Sequence, residues 1–204
     1  MSRSEDRKVL NYSEDICLFA SDLEYLRPST WLNDQIVHFC IQYLVDTTEN
    51  AKSLVHLVSP SQVQLLRHHI SVADILSEAS NSDQIQLILL PLNNSQDLST
   101  PLSGSHWSLL VYWVQKRTYQ HFDSLDSSNS AVARQVISAC SSVLEGKLAS
   151  ASRLDNLPEQ TNSSDCGLFA VDFARVLIKA VRSEFIFLQF FVSVKPWIKT
   201  GVRF

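Results

Sequence analysis

Three apolar runs near the middle of the chain restrict its fold more than any other feature: Ile85–Leu92, Trp107–Val114 and Thr118–Phe122. They are separated by polar or glycine-containing breaks and are rich in aliphatic and aromatic residues, the pattern of neighbouring strands. The first two are apolar almost without alternation, so strands made from them are central and buried on both faces. Helical periodicity lies on either side. Thr30 can cap a helix on which Leu32, Ile36, Val37, Phe39, Cys40, Tyr43 and Leu44 form one apolar face, with Trp31 and Asp34 in its first turn. Ser59-Pro60 starts a second helix, and Asp74–Leu76 marks a short third. Asn129–Leu144 reads as a helix stopped by Gly146, and Asp165–Val181 as another with Phe169, Phe173, Val176 and Leu177 inward. Val9–Leu18 reads as a short extended or hairpin segment. The expected class is α+β, a small central mixed sheet packed between helices.

With 45% apolar residues, only 4 Gly and no linker-like stretch, one domain over residues 1–204 is expected. A net charge of −4 argues against a nucleic-acid partner, which requires clustered Lys and Arg. Met1–Lys8 has no secretory apolar region, and the apolar stretch Phe185–Val194 is far shorter than the roughly 20 residues of a membrane span. Cytoplasm or nucleus is the expected location, with no membrane partner. Cys17, Cys40, Cys140 and Cys166 form no CxxC pair and read as reduced thiols. His38, His56, His68, His69 and His121 show no ligand spacing, so they read as structural or surface residues. Neither a metal nor a cofactor is expected.

Chemistry concentrates at three places. The polar stretch from Gln160 to Asp165 runs directly into Cys166-Gly167 and an apolar helix, so the thiol stands at a helix start, where unpaired N–H groups and the macrodipole favour a thiolate. Gly167 leaves room for a substrate carbonyl, and the Cys166 N–H and Gln160 amide are candidate oxyanion donors. His106 stands at the entrance of one strand and Asp123 at the end of the next. If those strands pair, the carboxylate can accept from the imidazole and fix its tautomer. Each residue alone is more often structural; their combination points to a cysteine nucleophile with a histidine acid–base group.

Trp31-Leu32-Asn33-Asp34, His106-Trp107, Phe122-Asp123-Ser124 and Gln160 with Asp165-Cys166-Gly167, in that order, resemble the sentrin/SUMO-specific protease family over about Val9–Lys179, most closely its NEDD8-cleaving branch. The resemblance implies a papain-like cysteine protease fold that cleaves after the C-terminal Gly-Gly of a ubiquitin-like modifier. His106 would be general base and acid, Asp123 its orienter, Cys166 the nucleophile and Gln160 an oxyanion donor. It also makes Trp31 and Trp107 the walls of a tunnel that only glycines can thread. Asp34 would meet a basic residue ahead of the glycines, since NEDD8 ends in Arg-Gly-Gly. The implied partners are NEDD8 and conjugates such as cullins, handled by a monomer. The chain departs from the family at Ser164, usually aromatic, and after Val181, where the tail is atypical. A SUMO-directed protease, an acetyltransferase using the same Cys/His/Asp set, and a non-catalytic binder are the alternatives.

Overall fold

In the computed structural model, residues 6–95, 104–126, 128–148 and 157–181 are described. An antiparallel pair, β1 (Lys8–Asn11) and β2 (Cys17–Phe19), leads through a 3-10 helix at Asp22–Leu26 to α1 (Asp34–Thr47) and the short α2 (Ala51–Leu54). β3 (Val55–Leu57), α3 (Pro60–Arg67) and α4 (Val72–Ser80) precede the central strands β4 (Leu87–Asn93), β5 (Trp107–Trp113) and β6 (Thr118–Phe122). α5 (Ser130–Cys140), β7 (Lys147–Leu148) and α6 (Cys166–Ala180) follow. The sheet order is β3-β4-β5-β6-β7. Its outer pairs β3/β4 and β6/β7 are parallel and its inner pairs antiparallel, so the sheet is mixed and the fold is α+β, as the sequence indicates.

Both faces of the sheet are covered. Leu87 and Leu89 of β4 and Leu109 and Val111 of β5 pack with Ile36, Val37 and Ile41 of α1 and Phe173 and Leu177 of α6. The intervening residues Ile88, Leu90, Leu110 and Tyr112 pack with Val63 and Leu66 of α3, Leu76 of α4 and Val132 and Val136 of α5. This two-sided burial is why β4 and β5 lack alternation. Burying each large aliphatic side chain contributes about 1.5–3 kcal/mol. Pro91 fits inside β4 because pairing with β3 ends at Leu89, so its missing N–H breaks no ladder bond on that side.

Several boundaries differ from the sequence reading for local reasons. α1 begins at Asp34, and its cap is Asn33, whose side chain accepts from the Ile36 N–H at 2.9 Å. Thr30 is not the cap; its hydroxyl donates to the Tyr25 and Arg27 carbonyls. Tyr43 leaves the apolar face and is 48% exposed, beside Tyr12 and Phe39. α3 has the expected start, with Ser59 and Gln62 forming a reciprocal capping box. α5 stops at Cys140 rather than Leu144, because the Ser141 and Ser142 hydroxyls take the Ser138 and Ala139 carbonyls. Gly146 is therefore not a helix stop; a Cβ there would lie 2.8 Å from the Arg117 carbonyl oxygen and 2.9 Å from the Tyr112 ring. Phe185–Val194 lies outside the described residues. Among those described, no helix is long and apolar enough to cross a membrane.

Asn33 also donates to the buried Asp22 carboxylate at 2.7 Å, and Asp22 accepts from the Phe19 N–H at 2.8 Å. One side chain thus caps α1 and ties its start to the preceding 3-10 turn. Asn33→Ala removes the cap and leaves Asp22 short of a donor, so urea denaturation will show a loss of about 2–3 kcal/mol.

Candidate active site

The β5–β6 register pairs Leu109 with Phe122, so the residue just before β5 and the residue just after β6 meet at one sheet edge. These are His106 and Asp123. Their side chains are buried, and His106 Nε2 lies 2.6 Å from Asp123 Oδ1. The expected strand pairing is therefore present, and it brings the two together. Asp123 Oδ1 also accepts from the Leu125 N–H at 3.0 Å, and Oδ2 accepts from the Asn129 N–H at 2.9 Å, at the start of α5. Burial opposes ionisation of this carboxyl, but the bonds from His106, Asn129 and Leu125 outweigh it and hold its pKa below the usual value.

Cys166 opens α6 and is buried. His106 Nε2 is committed to Asp123, and the Cys166 side chain stands on the same cleft, close enough to affect the titration of the ring. Burial works against a charged imidazole, but the hydrogen bonds and charges of Asp123 and Cys166 prevail and raise its pKa to about 9. At neutral pH the ring is therefore an imidazolium. His121, two residues before Asp123, behaves oppositely: burial drives its pKa down to about 4, and it rests neutral against Ser108 Oγ at 2.9 Å. The remaining thiols are free, and burial pushes Cys140 up to about 12.

His106 and Cys166 face a cleft of about 250 Å³ that Trp31, Asp34, Gly104 and Trp107 also line. Trp107 is buried and donates from Nε1 to the Leu32 carbonyl at 2.9 Å. Trp31 is 42% exposed and donates from Nε1 to the Ser163 carbonyl at 2.5 Å. The two indoles thereby bind the segment before α1 to β5 and to the loop before Cys166. Asp34 is partly buried and makes no ion pair among the described residues, and desolvation raises its pKa.

One expectation changes. Gly167 does not open a path for a substrate carbonyl; a Cβ there would lie 3.0 Å from Leu32 Cβ, so its bareness serves the packing of α6 on Leu32. Gln160 Oε1 accepts from Ser124 Oγ at 2.8 Å and Nε2 donates to the Asn162 carbonyl at 2.8 Å, leaving one amide hydrogen uncommitted among the described residues. Ser164, where an aromatic is usual, is buried and bonds Asn162 and Asp165 through its hydroxyl. Sequence reasoning missed Asn94, whose Oδ1 accepts from the Ser105 and His106 N–H groups at 2.7 and 3.1 Å. Its only sequence signal is a polar pair, Asn93-Asn94, directly after an apolar strand.

A pH titration of the His106 ring by NMR will give a pKa near 9, and Asp123→Asn will lower it toward the ordinary 6.5. Because the folded pKa is the higher one, the pair's contribution to stability is complete below about pH 6.5 and lost as pH rises through about 9. The stability gap between parent and Asp123→Asn will narrow across that window.

Comparison with known proteins shows what the chain as a whole is similar to. A model of the Ulp1 protease family, C-terminal catalytic domain, matches residues 30–195, running past Lys179, the limit of the motif resemblance. NEDD8-specific protease 1 of Arabidopsis thaliana is 32% identical over 177 residues, 85% of this chain and 76% of that protein. Sentrin-specific protease 8 of Homo sapiens is 31% identical over 170 residues, 81% of this chain and 79% of that one. The solved C-terminal Ulp1 protease domain, in complex with Smt3, the yeast ortholog of SUMO, has a TM-score of 0.63 at 20% identity, over 83% of this chain and 75% of its own. At that identity the likeness is one of fold.

Proposed function

Since the chain belongs to the Ulp1 protease family and is a cysteine-type peptidase, we propose that Cys166, His106 and Asp123 carry its reaction and that its substrate is the C-terminal Gly-Gly tail of a ubiquitin-like modifier, NEDD8 foremost. The buried His106–Asp123 pair, turned toward Cys166 at the mouth of a tryptophan-lined cleft, carries this reading. The tail enters between Trp31 and Trp107, where side chains other than hydrogen would meet an indole face.

Cys166 Sγ attacks the carbonyl of the last glycine, while the imidazolium balances the charge on sulfur. As the tetrahedral intermediate collapses to a thioester, His106 gives its proton to the departing lysine amine or peptide nitrogen. The neutral imidazole then takes a proton from water, which releases the modifier and restores the resting state. Two donors fit the oxyanion: the Cys166 N–H, which has no intrahelical acceptor in the first turn, and the uncommitted hydrogen of Gln160 Nε2. Asp123 keeps the imidazole in its tautomer and does not move a proton.

Support for NEDD8 over SUMO comes from a relative named as NEDD8-specific at 32% identity, against 24% for ubiquitin-like-specific protease 1 of Saccharomyces cerevisiae; two others named NEDD8-specific, from Schizosaccharomyces pombe, are 27% and 23% identical. Asp34 supports it chemically: a partly desolvated carboxylate without a cation gains from an arginine just ahead of the two glycines. Conjugates such as neddylated cullins are the proposed targets, and a monomer in cytoplasm or nucleus the proposed form. SUMO is the second reading, supported by the fold likeness to a SUMO-bound protease domain.

The test is labelling by NEDD8, SUMO and ubiquitin probes that carry C-terminal electrophiles. NEDD8 will label Cys166 faster than the other two by on the order of 100-fold. Cys166→Ala will abolish labelling and lower cleavage of a NEDD8 fusion at least ~10⁴-fold. Preferential labelling by SUMO sinks the NEDD8 assignment, and parental cleavage by Cys166→Ala sinks the mechanism.

A further inference from the structure

Asn129 immediately precedes α5, where an asparagine ordinarily accepts from the first free N–H groups of the helix. Asn33 does so at the head of α1. Asn129 does not: it forms no side-chain cap bond, and Oδ1, the oxygen that would cap, is buried without a partner. The amide nitrogen instead donates away from the helix, to the His106 carbonyl at 3.2 Å, to Ser108 Oγ at 3.0 Å and, weakly, to the Leu92 carbonyl at 3.5 Å. These acceptors fix which way the amide points, since reversing it would set Oδ1 against two carbonyl oxygens. Ser108 fits the same direction: its hydroxyl accepts from Asn129 and donates to neutral His121.

The main chain of Asn129 acts on the other half of the pair, because its N–H donates to Asp123 Oδ2. His106 stands one residue before the β4–β5 ladder, whose last pair joins Asn93 to Trp107. Outside the ladder, its backbone is held by Asn94, which donates to its carbonyl and accepts from its N–H, and by Asn129 from the interior. Asn129 is wholly buried, so its bonds do not compete with water.

We propose that Asn129 is a positioning residue for the reaction, gripping the Asp123 carboxylate through its main chain and the His106 backbone through its side chain. This rests on the reading in which His106 and Asp123 serve Cys166. Helix capping is forgone at this position, and the orphaned Oδ1 is the mark of that exchange.

Asn129→Ser separates the two roles. Serine is as good a cap as asparagine, but it lacks the amide that reaches the His106 carbonyl. The variant will melt at or near the parental temperature. With active sites counted by an electrophilic modifier probe, kcat will fall roughly 10- to 100-fold while KM stays within about twofold. The His106 pKa measured by NMR will fall, and the pH profile of kcat/KM will move with it. Asn129→Asp, nearly isosteric but with acceptors facing two carbonyls, will be at least as slow. Ser108→Ala, which spares the His106 carbonyl, will lose less than about threefold. Parental kcat and His106 pKa in Asn129→Ser overturn the proposal whatever the melting temperature. Should Asn129→Ser fail to fold, Asn129→Ala and Asn129→Asp at parental kcat per titrated site do the same. His106→Ala is assayed alongside: undiminished cleavage by that variant overturns the underlying site, whereas inactive His106→Ala with fully active Asn129→Ser overturns the positioning role alone.

Discussion

The pairing of β5 with β6 is the constraint on which the site depends. It is an antiparallel contact between two buried strands, held in register by Leu109 opposite Phe122 and Tyr112 opposite Tyr119. Because side chains alternate, a slip of one residue would turn Phe122 away from α6 and carry Asp123 away from His106. The aliphatic packing on the two faces forbids that slip, so the same burial that stabilises the sheet fixes a 2.6 Å hydrogen bond at its edge. The geometry of the His106–Asp123 pair is inherited from the hydrophobic core.

A buried carboxylate and a buried imidazole are individually costly, and neither would keep its charge if isolated. Here each charge is distributed. Asp123 receives two backbone N–H donors besides its electrostatic partner His106, and His106 shares its cleft with the Cys166 thiol. His121 is the internal contrast: a nearby imidazole with burial but no bonded carboxylate, it is driven neutral. Two histidines of one sheet region thus hold different charge states at the same pH, because His106 has a bonded carboxylate and a neighbouring thiol to set against its burial and His121 has no bonded carboxylate.

Much of this was legible beforehand because the signals were of the kinds that depend on local order. Unbroken apolar runs identified β4 and β5, Ser59-Pro60 identified α3, and the polar-to-apolar switch at Cys166 identified the start of α6. His106 and Asp123 were legible as strand-end residues once the strands were recognised. The rest depended on distance in sequence. The short β3 and β7 are strands only because a neighbour supplies their bonds. Thr30 and Asn33 are equally good caps on paper, and buried Asp22 decides between them. Asn94 and Asn129 look like turn and cap residues, and only the fold reveals that their bonds go to His106. Gly167 invited a substrate, and Leu32 occupies the space.

The indole bonds have a consequence in time. Trp31 is tied to the carbonyl of Ser163, which lies 132 positions further along, and Trp107 to the carbonyl of Leu32, 75 positions back. Contacts that span so much chain form late, after the local helices and hairpins. α6 is the last of the described helices to leave a ribosome, and it carries the thiol. A growing chain can therefore bring His106, Asp123 and much of the sheet together before Cys166 reaches them, and the cleft gains its Cys166 wall last.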